Sequence, residues 1–156
     1  MIVDRDKLLA DLEEIVSNAR ERIASLKLAA DLLKSCGRYR WVGLYEVDHA
    51  ARLVNNVVWS GPGAPEYPTF PVTKGLTAAA VADRRTANVG DIASDPRYLT
   101  AFSTTRSEII VPVFDQARGV VIGTIDIESE TANAFGADVQ ALLETCSDVI
   151  RPLWKL

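Results

Sequence analysis

Apolar and polar residues alternate along two neighbouring segments in the last third of the chain. The segments cover residues 107–114 and 120–129, and a polar turn that ends in Gly119 separates them. Two β-branched runs joined by such a turn predict a β-hairpin. In the second strand the two-residue period divides the side chains between two faces. One face carries Val121, Gly123, Ile125 and Ile127, and the other carries Ile122, Thr124, Asp126 and Glu128.

The acidic residues of this hairpin are predicted to meet at one of its ends. Glu108 begins the first strand, whereas Asp126 and Glu128 close the second. Antiparallel pairing therefore gathers three carboxylates in one place. Two acids at alternate positions near a strand end are also typical of a solvated face, so the alternation alone leaves both interpretations open.

The rest of the chain predicts a helix at each end and a second hairpin between them. Apolar residues recur at helical spacing from Val3 to about Cys36 and from Ala137 to about Ile150. The weak interruption at 17–18 leaves either one long N-terminal helix or two shorter ones. The other predicted elements are strands at 39–48 and 51–60, short strands near 69–72 and 86–89, a helix at 76–83, and a polar crossover at 91–105 with one helical turn at 97–99.

This order of elements predicts an α+β fold built as a single domain over residues 1–156. We expect an antiparallel sheet with the terminal helices on one face and a loop-covered ligand pocket on the other. If Ile125 and Ile127 meet the helices, Asp126 and Glu128 point into that pocket. The helical segment 1–36 exceeds what one sheet face needs, so we also expect a homodimer formed through it.

Composition narrows the classes of function. The chain of 156 residues is 48% hydrophobic and 24% charged, as in ordinary soluble domains. A net charge of −4 without a Lys/Arg run argues against nucleic-acid binding, and no apolar stretch is long enough for a membrane span. The acidic N-terminus lacks the pattern of a signal peptide, so we expect a cytoplasmic protein.

The cysteine and histidine content favours neither a metal site nor a haem site. Cys36 and Cys146 lie far apart in helical segments, without a Cys-x-x-Cys or Cys/His grouping. We therefore expect buried, reduced thiols. His49 falls in a turn. No cofactor and no metal are predicted.

Four pieces of the sequence resemble a GAF domain. They read Arg-Tyr-Arg-Trp-Val-Gly-Leu-Tyr, Phe-Pro-Val-Thr-Lys-Gly-Leu-Thr-Ala-Ala-Ala, Ser-Glu-Ile-Ile-Val-Pro-Val-Phe and Val-Ile-Gly-Thr-Ile-Asp-Ile-Glu-Ser, in this order. More narrowly, they resemble the GAF branch that reduces free methionine-(R)-sulfoxide, over the chain from about Ala19 onward. The resemblance implies a ligand pocket made by Trp41, Tyr45, Glu108, Asp126 and Glu128, the last being Glu where Asp is usual.

The sequence departs from that branch in its chemistry. The reductases use cysteine thiols at positions that fall here on Tyr67, Thr77 and Ala101. An alcohol or a methyl group cannot take up oxygen and resolve it as a disulfide. The resemblance therefore implies that the pocket remains while the reductase chemistry is absent.

The pocket predicted in this way suits a cationic amino group. Two aromatic rings and three acids on one loop-covered face attract an ammonium ion by charge and by cation–π interaction. Trp41 and Tyr45 are equally typical of a hydrophobic core, so the prediction of a cation site rests on the aromatic rings and the acids together. Further candidates, for a ligand carboxylate, are Arg106 and the hydroxyls of Ser103, Thr104 and Thr105, although a polar surface loop explains them too.

Three classes of function follow from these residues. The first is a sensor or binding domain for a small amino-acid-like molecule, without catalysis. The second is an enzyme of the sulfoxide reductase type with displaced chemistry. The third is an interaction module whose helices pair and whose pocket is vestigial. The first class is the expectation carried forward.

Overall fold

The computed structural model describes residues 4–96, 104–117 and 119–156. In this part of the chain the α-helices are Arg5–Asn18 (α1), Arg22–Cys36 (α2), Gly75–Asp83 (α3) and Ala137–Ile150 (α4). The strands are Trp41–Asp48 (β1), Leu53–Ser60 (β2), Thr69–Pro71 (β3), Ala87–Val89 (β4), Ser107–Phe114 (β5) and Val121–Ser129 (β6). Short 3₁₀ helices lie at Ile92–Ser94 and Arg151–Lys155. The predicted turn at 97–99 lies outside the described residues.

These strands form one sheet in the order β3-β2-β1-β6-β5-β4. Every neighbouring pair is antiparallel, so the predicted sheet and both predicted hairpins are confirmed. The two hairpins meet through β1 and β6 at the centre of the sheet. Strands at the centre have both backbone edges paired and present each face to a packed layer.

The terminal helices cover one face of this sheet, as predicted. Helices α2 and α4 pack on the strands, and α1 packs on α2 and α4. Ile125 and Ile127 are fully buried against this helix layer. The hydrophobic contact between strand and helix faces therefore fixes which residues of β6 point away from the helices.

The N-terminal segment forms two helices rather than one. Asp4 caps α1 by accepting a hydrogen bond from the Lys7 backbone, 2.9 Å away. The backbone of Ala19 is extended, and the Glu21 carboxylate accepts from the first amides of α2. This break lets α1 fold back, so that Leu8 and Leu12 are buried within the chain. Part of the apolar surface expected to need a partner is thus already covered.

The predicted face assignment was wrong for two residues at the start of β6. Val121 packs with Trp41 and Tyr45 on the acid face, whereas Ile122 packs against the helix-side core. The reason is a bulge, because β5 and β6 pair Val113 with Gly123 but Phe114 with Val121, which leaves Ile122 as an extra residue. From Gly123 onward the alternation is as predicted.

The C-terminal 3₁₀ helix ties the helix layer to β1. The Trp154 indole Nε1 donates a hydrogen bond to the Tyr45 carbonyl oxygen at 2.9 Å. Its ring lies over Gly123, where a Cβ atom would overlap the indole. Glycine is therefore required for this close approach. Among the described residues, no helix combines the length and apolarity of a membrane span.

Candidate functional site

The acids of the β5–β6 hairpin lie together on the face opposite the helices. The register pairs Glu108 directly with Glu128, while Asp126 pairs with Ile110 on the next row. One oxygen atom from each carboxylate lies within 4.8 Å of the others. The structure thus brings the three predicted acids together, and their role in binding stays a prediction.

These carboxylates are buried rather than solvated. The exposed fraction of the residue is 3% for Glu108, 8% for Asp126 and 0% for Glu128. The alternative of a solvated acidic face therefore does not fit this cluster. Buried polar groups are normally hydrogen-bonded, yet Glu108 Oε2 and Asp126 Oδ1 have no hydrogen-bond partner in the described parts of the chain.

Burial favours the protonated form of the Glu108 and Asp126 carboxyl groups. Loss of hydration raises the pKa of Glu108 well above its ordinary value, and the charge of Asp126 and a hydrogen bond to it raise it further. Burial likewise raises the pKa of Asp126, with Glu128 adding to the effect, whereas the hydrogen bond with Glu108 acts in the opposite direction. Burial and mutual repulsion therefore both favour a proton on this carboxyl pair.

Thr105 supports the third carboxylate. Its hydroxyl donates to Glu128 Oε1 at 2.7 Å. This corrects the expectation that Thr105 is available for a ligand carboxylate, since its donor is already used by the cluster. Arg106 and Thr104 are exposed, and Ser103 lies outside the described residues.

The two predicted aromatic residues stand beside the acids on β1. The β1–β6 register places Trp41 next to Glu128 and Gly43 next to Asp126. The rings of Trp41 and Tyr45 lie 6.4 Å apart and both lean over Gly43, where a Cβ would overlap them. A glycine between two aromatics in a strand is the sequence signal for this close packing.

A small cavity of about 30 Å³ lies against the carboxyl pair. Tyr45, Glu108 and Asp126 line it, so three of the five predicted site residues reach it. Trp41 and Glu128 are fully buried and are not among the described residues that line it. The Trp41 Nε1 donates instead to the Gly63 carbonyl at 3.0 Å. These two residues therefore form the wall behind the cavity.

Loop and helix residues that periodicity did not single out complete the cavity. The lining from the β2–β3 loop, β3 and the start of α3 comprises Pro65, Glu66, Tyr67, Phe70, Gly75, Leu76 and Thr77. Tyr67 and Thr77 are two of the positions at which the resemblance implied missing cysteines, and the third, Ala101, lies outside the described residues. Only the resemblance pointed to them, because loop residues show no periodicity.

Both cysteines lie on the other side of the sheet, with the helix-side core. Cys146 is buried as expected, whereas Cys36 is only partly buried. Burial raises the pKa of Cys36 to about 11 and that of Cys146 to about 12. Since the thiolate is the reactive form, neither thiol is activated.

The acid cluster has the composition of a site for a hard cation. Glu108, Asp126 and Glu128 are a described group of potential ligands close enough to hold one metal ion. Carboxylate oxygens suit calcium, magnesium or manganese. The same oxygens suit an ammonium group, which needs acceptors but no defined coordination geometry. The chemistry of these side chains is therefore compatible with a metal cation or with an ammonium group.

The unliganded protein should lose stability as pH rises. Because Glu108 and Asp126 have raised pKa values when folded, the folded state binds more protons than the unfolded state above their ordinary values of 4.5 and 3.8. The free energy of unfolding should therefore be higher near pH 5 than near pH 8. Urea unfolding at both pH values measures it.

Asp126→Asn should reduce this pH dependence, because it removes one carboxyl from the coupled pair. Asp138→Asn is the matched control, since Asp138 is exposed in the first turn of α4. Equal pH dependence in both variants would show that the cluster does not carry the effect.

The chain is similar to GAF domains in both sequence and structure. The family described as GAF domain matches residues 10–151. GAF domain-containing protein A of Dictyostelium discoideum is 29% identical over 130 residues, covering 83% of this chain and 79% of that protein. The solved free methionine-R-sulfoxide reductase of Neisseria meningitidis, in complex with its substrate, superposes with a TM-score of 0.88 at 28% identity, covering 97% of this chain and 88% of that one.

A second reductase structure agrees at higher identity. The type II free methionine-R-sulfoxide reductase of Thermoplasma acidophilum is 32% identical, covers 92% of this chain and 95% of its own, and has a TM-score of 0.78. The fold matches the α+β architecture expected from the sequence, with a six-stranded antiparallel sheet between loops and terminal helices. The chain belongs to the GAF domain family, and its structural neighbours include free methionine-R-sulfoxide reductases.

Proposed function

We propose that this GAF domain binds a small amino-acid-like ligand through the ligand's cationic amino group. The observation that carries the proposal is the buried Glu108–Asp126 pair at the cavity, with two carboxyl oxygens that no described residue satisfies. Buried carboxyl groups at such short range disfavour ionisation of one another. A bound ammonium offsets that repulsion and supplies the missing hydrogen-bond donors.

The aromatic wall supports the same ligand chemistry. Tyr45 lines the cavity, and its ring faces the Phe70 ring edge at 5.9 Å between centroids. Burial, with the charges of Asp126, Glu128 and Glu108, raises the pKa of the Tyr45 phenol, so the ring stays neutral. A neutral aromatic surface next to carboxylates suits an organic cation with an apolar body.

The similar proteins are consistent with an amino-acid-like ligand. The Neisseria meningitidis protein is a reductase of free methionine-R-sulfoxide and was solved with its substrate. That substrate is an amino acid, which carries an ammonium group. The resemblance implies a pocket of Trp41, Tyr45, Glu108, Asp126 and Glu128, and the cavity lined by Tyr45, Glu108 and Asp126 supports the proposal.

We also propose that the domain does not reduce free methionine sulfoxide. Tyr67 and Thr77 line the cavity, and they are two of the positions at which the resemblance implies thiols in the reductases. Cys36 and Cys146 pack on the helix side of the sheet and have raised pKa values. A binding or sensor role without turnover fits these side chains better than oxygen transfer does.

Homodimerisation through the N-terminal helices is a further part of the proposal. Ile23 and Leu28 on α2 are 55% and 57% exposed. Leu28 also borders a groove between α1 and α2, together with Ile15 and Leu32. Two large exposed apolar side chains on one helix favour an isologous helix-to-helix contact.

Binding should depend on the amino group and on Asp126. Calorimetry with L-methionine and L-methionine-(R)-sulfoxide should give heat, whereas the deaminated analogue 4-(methylsulfinyl)butanoate should not. Asp126→Asn should weaken binding by about tenfold or more, because a charge-assisted hydrogen bond is lost. Asp138→Asn, an exposed carboxyl on α4, should change the affinity by less than about twofold.

The opposite result would favour the third class of function. If free amino acids and their sulfoxides give no heat while Asp126→Asn stabilises the unliganded protein, the cluster is a relic. The chain would then act as an interaction module.

No turnover of free methionine-(R)-sulfoxide is expected with a thiol reductant. Reduction needs an accessible thiolate and a second thiol to resolve the sulfenic acid. Methionine formation followed by chromatography measures this. Turnover that disappears in Cys36→Ser or Cys146→Ser would contradict the proposal and support the reductase alternative, and turnover that survives both changes would contradict it as well.

The dimer should be visible by sedimentation at tens of micromolar, as an order of magnitude for a modest helical interface. Leu28→Glu and Ile23→Glu should each shift the protein toward monomer, because a charge would be buried in the contact. Val120→Glu is the matched control, since Val120 is exposed at the β5–β6 turn, away from α2. A monomeric parent protein at that concentration would rule the dimer out.

A further inference from the structure

A second groove lies on the other side of α3 from the acid cavity, with a volume of about 900 Å³. One rim is the β1–β2 turn with His49 and Arg52, and the other is the β3–α3 connection with Lys74. The outer face of α3 forms the floor. Among the described residues, the groove shares only Gly75 with the lining of the acid cavity.

The charge of this groove is opposite to that of the protein. The chain has 21 acidic and 17 basic residues, yet the described lining contains His49, Arg52 and Lys74 and no acid. Within the described part of the chain, neither Arg52 nor Lys74 forms an ion pair. No described carboxylate is paired with either cation, so both charges can contribute to binding an anion in the groove.

The two rims are held in place relative to each other. The Val72 backbone amide donates to the Arg52 carbonyl at 3.0 Å, which joins the β1–β2 turn to the β3–α3 connection. The His49 Nε2 lies 2.7 Å from the Val121 carbonyl and must donate to it, since a carbonyl only accepts. The basic residues thus stand on a backbone framework that is fixed before any ligand arrives.

The floor of the groove is apolar, and its side chains are short. It is formed by Val72 and by Ala78, Ala79, Val81 and Ala82 of α3. Alanine side chains let a flat or extended apolar group approach the helix closely. A ligand of two parts fits this surface, with an anion at the basic rims and an apolar body over α3.

We propose that this groove binds a small organic phosphate, a phosphate monoester carried on an apolar body. A monoester carries nearly two negative charges near neutral pH, which matches the Arg52 and Lys74 pair better than a single carboxylate does. The Arg52 guanidinium can bind phosphate oxygens in a bidentate manner, and Lys74 acts as a point charge. The volume is larger than inorganic phosphate requires, and this leaves room for the apolar body.

Phenyl phosphate is the probe. Inorganic phosphate and phenol are the control ligands, because each contains one of its two parts. In a ¹H–¹⁵N titration of the full chain, phenyl phosphate should give saturable shifts at the amides of His49, Arg52, Lys74 and α3. Phenyl phosphate should bind about tenfold or more tightly than either half. Asp126→Asn, in the acid cavity, should leave these shifts unchanged.

A charge-matched pair of double variants separates a site from general attraction. Arg52→Gln/Lys74→Gln should weaken phenyl phosphate binding by about tenfold or more. Arg5→Gln/Arg20→Gln removes the same charge from exposed helix-layer positions and should change it by less than about twofold.

Four results would overturn the proposal. Equal weakening in both double variants, or shifts that never saturate, would mean non-specific attraction. Equal binding of phenol would mean an apolar groove without phosphate recognition. Saturable binding of an acidic peptide at these amides, with no effect of phenyl phosphate, would identify a protein-docking surface instead.

Discussion

The structure depends on the hydrophobic contact between the central strands and the helix layer, and this contact also fixes three buried carboxyl groups on the opposite face of the β5–β6 hairpin. Glu108, Asp126 and Glu128 hold that position because the residues between them, such as Ile127, are buried against the helices on the opposite face. A shift of one residue in register would exchange the two sets and place isoleucines at the cavity. The hydrophobic energy that stabilises the sheet against its helices thus also keeps the acids out of water, although the acids by themselves oppose folding at neutral pH.

The sequence predicts those features of the site that depend only on neighbouring residues along a strand. The two-residue period of β6 predicts the faces of Asp126 and Glu128, because each depends only on its neighbours along the strand. The same rule fails at Val121 and Ile122, since both are β-branched and apolar and nothing in their identity marks the bulge. Periodicity also does not predict how deeply each side chain is buried. Glu128 pairs beside Trp41 and is sealed behind it, whereas Asp126 pairs beside Gly43 and reaches the cavity.

The N-terminal helices show a comparable limit. Glu21 begins α2 by accepting hydrogen bonds from Ile23 and Ala24, although glutamate is not among the favoured capping residues. The sequence therefore left one helix and two helices equally open. The choice has consequences, because only a broken helix allows Leu8 and Leu12 to be buried on α2 and α4. A long-range contact thus decides how much apolar surface remains for any partner.

On both faces of the sheet, burial favours the neutral forms of ionisable groups. The two faces differ in whether these groups border the acid cavity. Burial favours the neutral thiols of Cys36 and Cys146 on the helix side and the neutral acid of Glu108 on the other. The acids border a cavity, and side chains without thiols, Tyr67 and Thr77, are among the residues that line it. A cation that enters there is attracted to the carboxylates. It also reduces the repulsion between them. The two thiols lie on the opposite side of the sheet from the carboxyl cluster. The acids are thus held in place by strand pairing and core packing, neither of which involves a thiol.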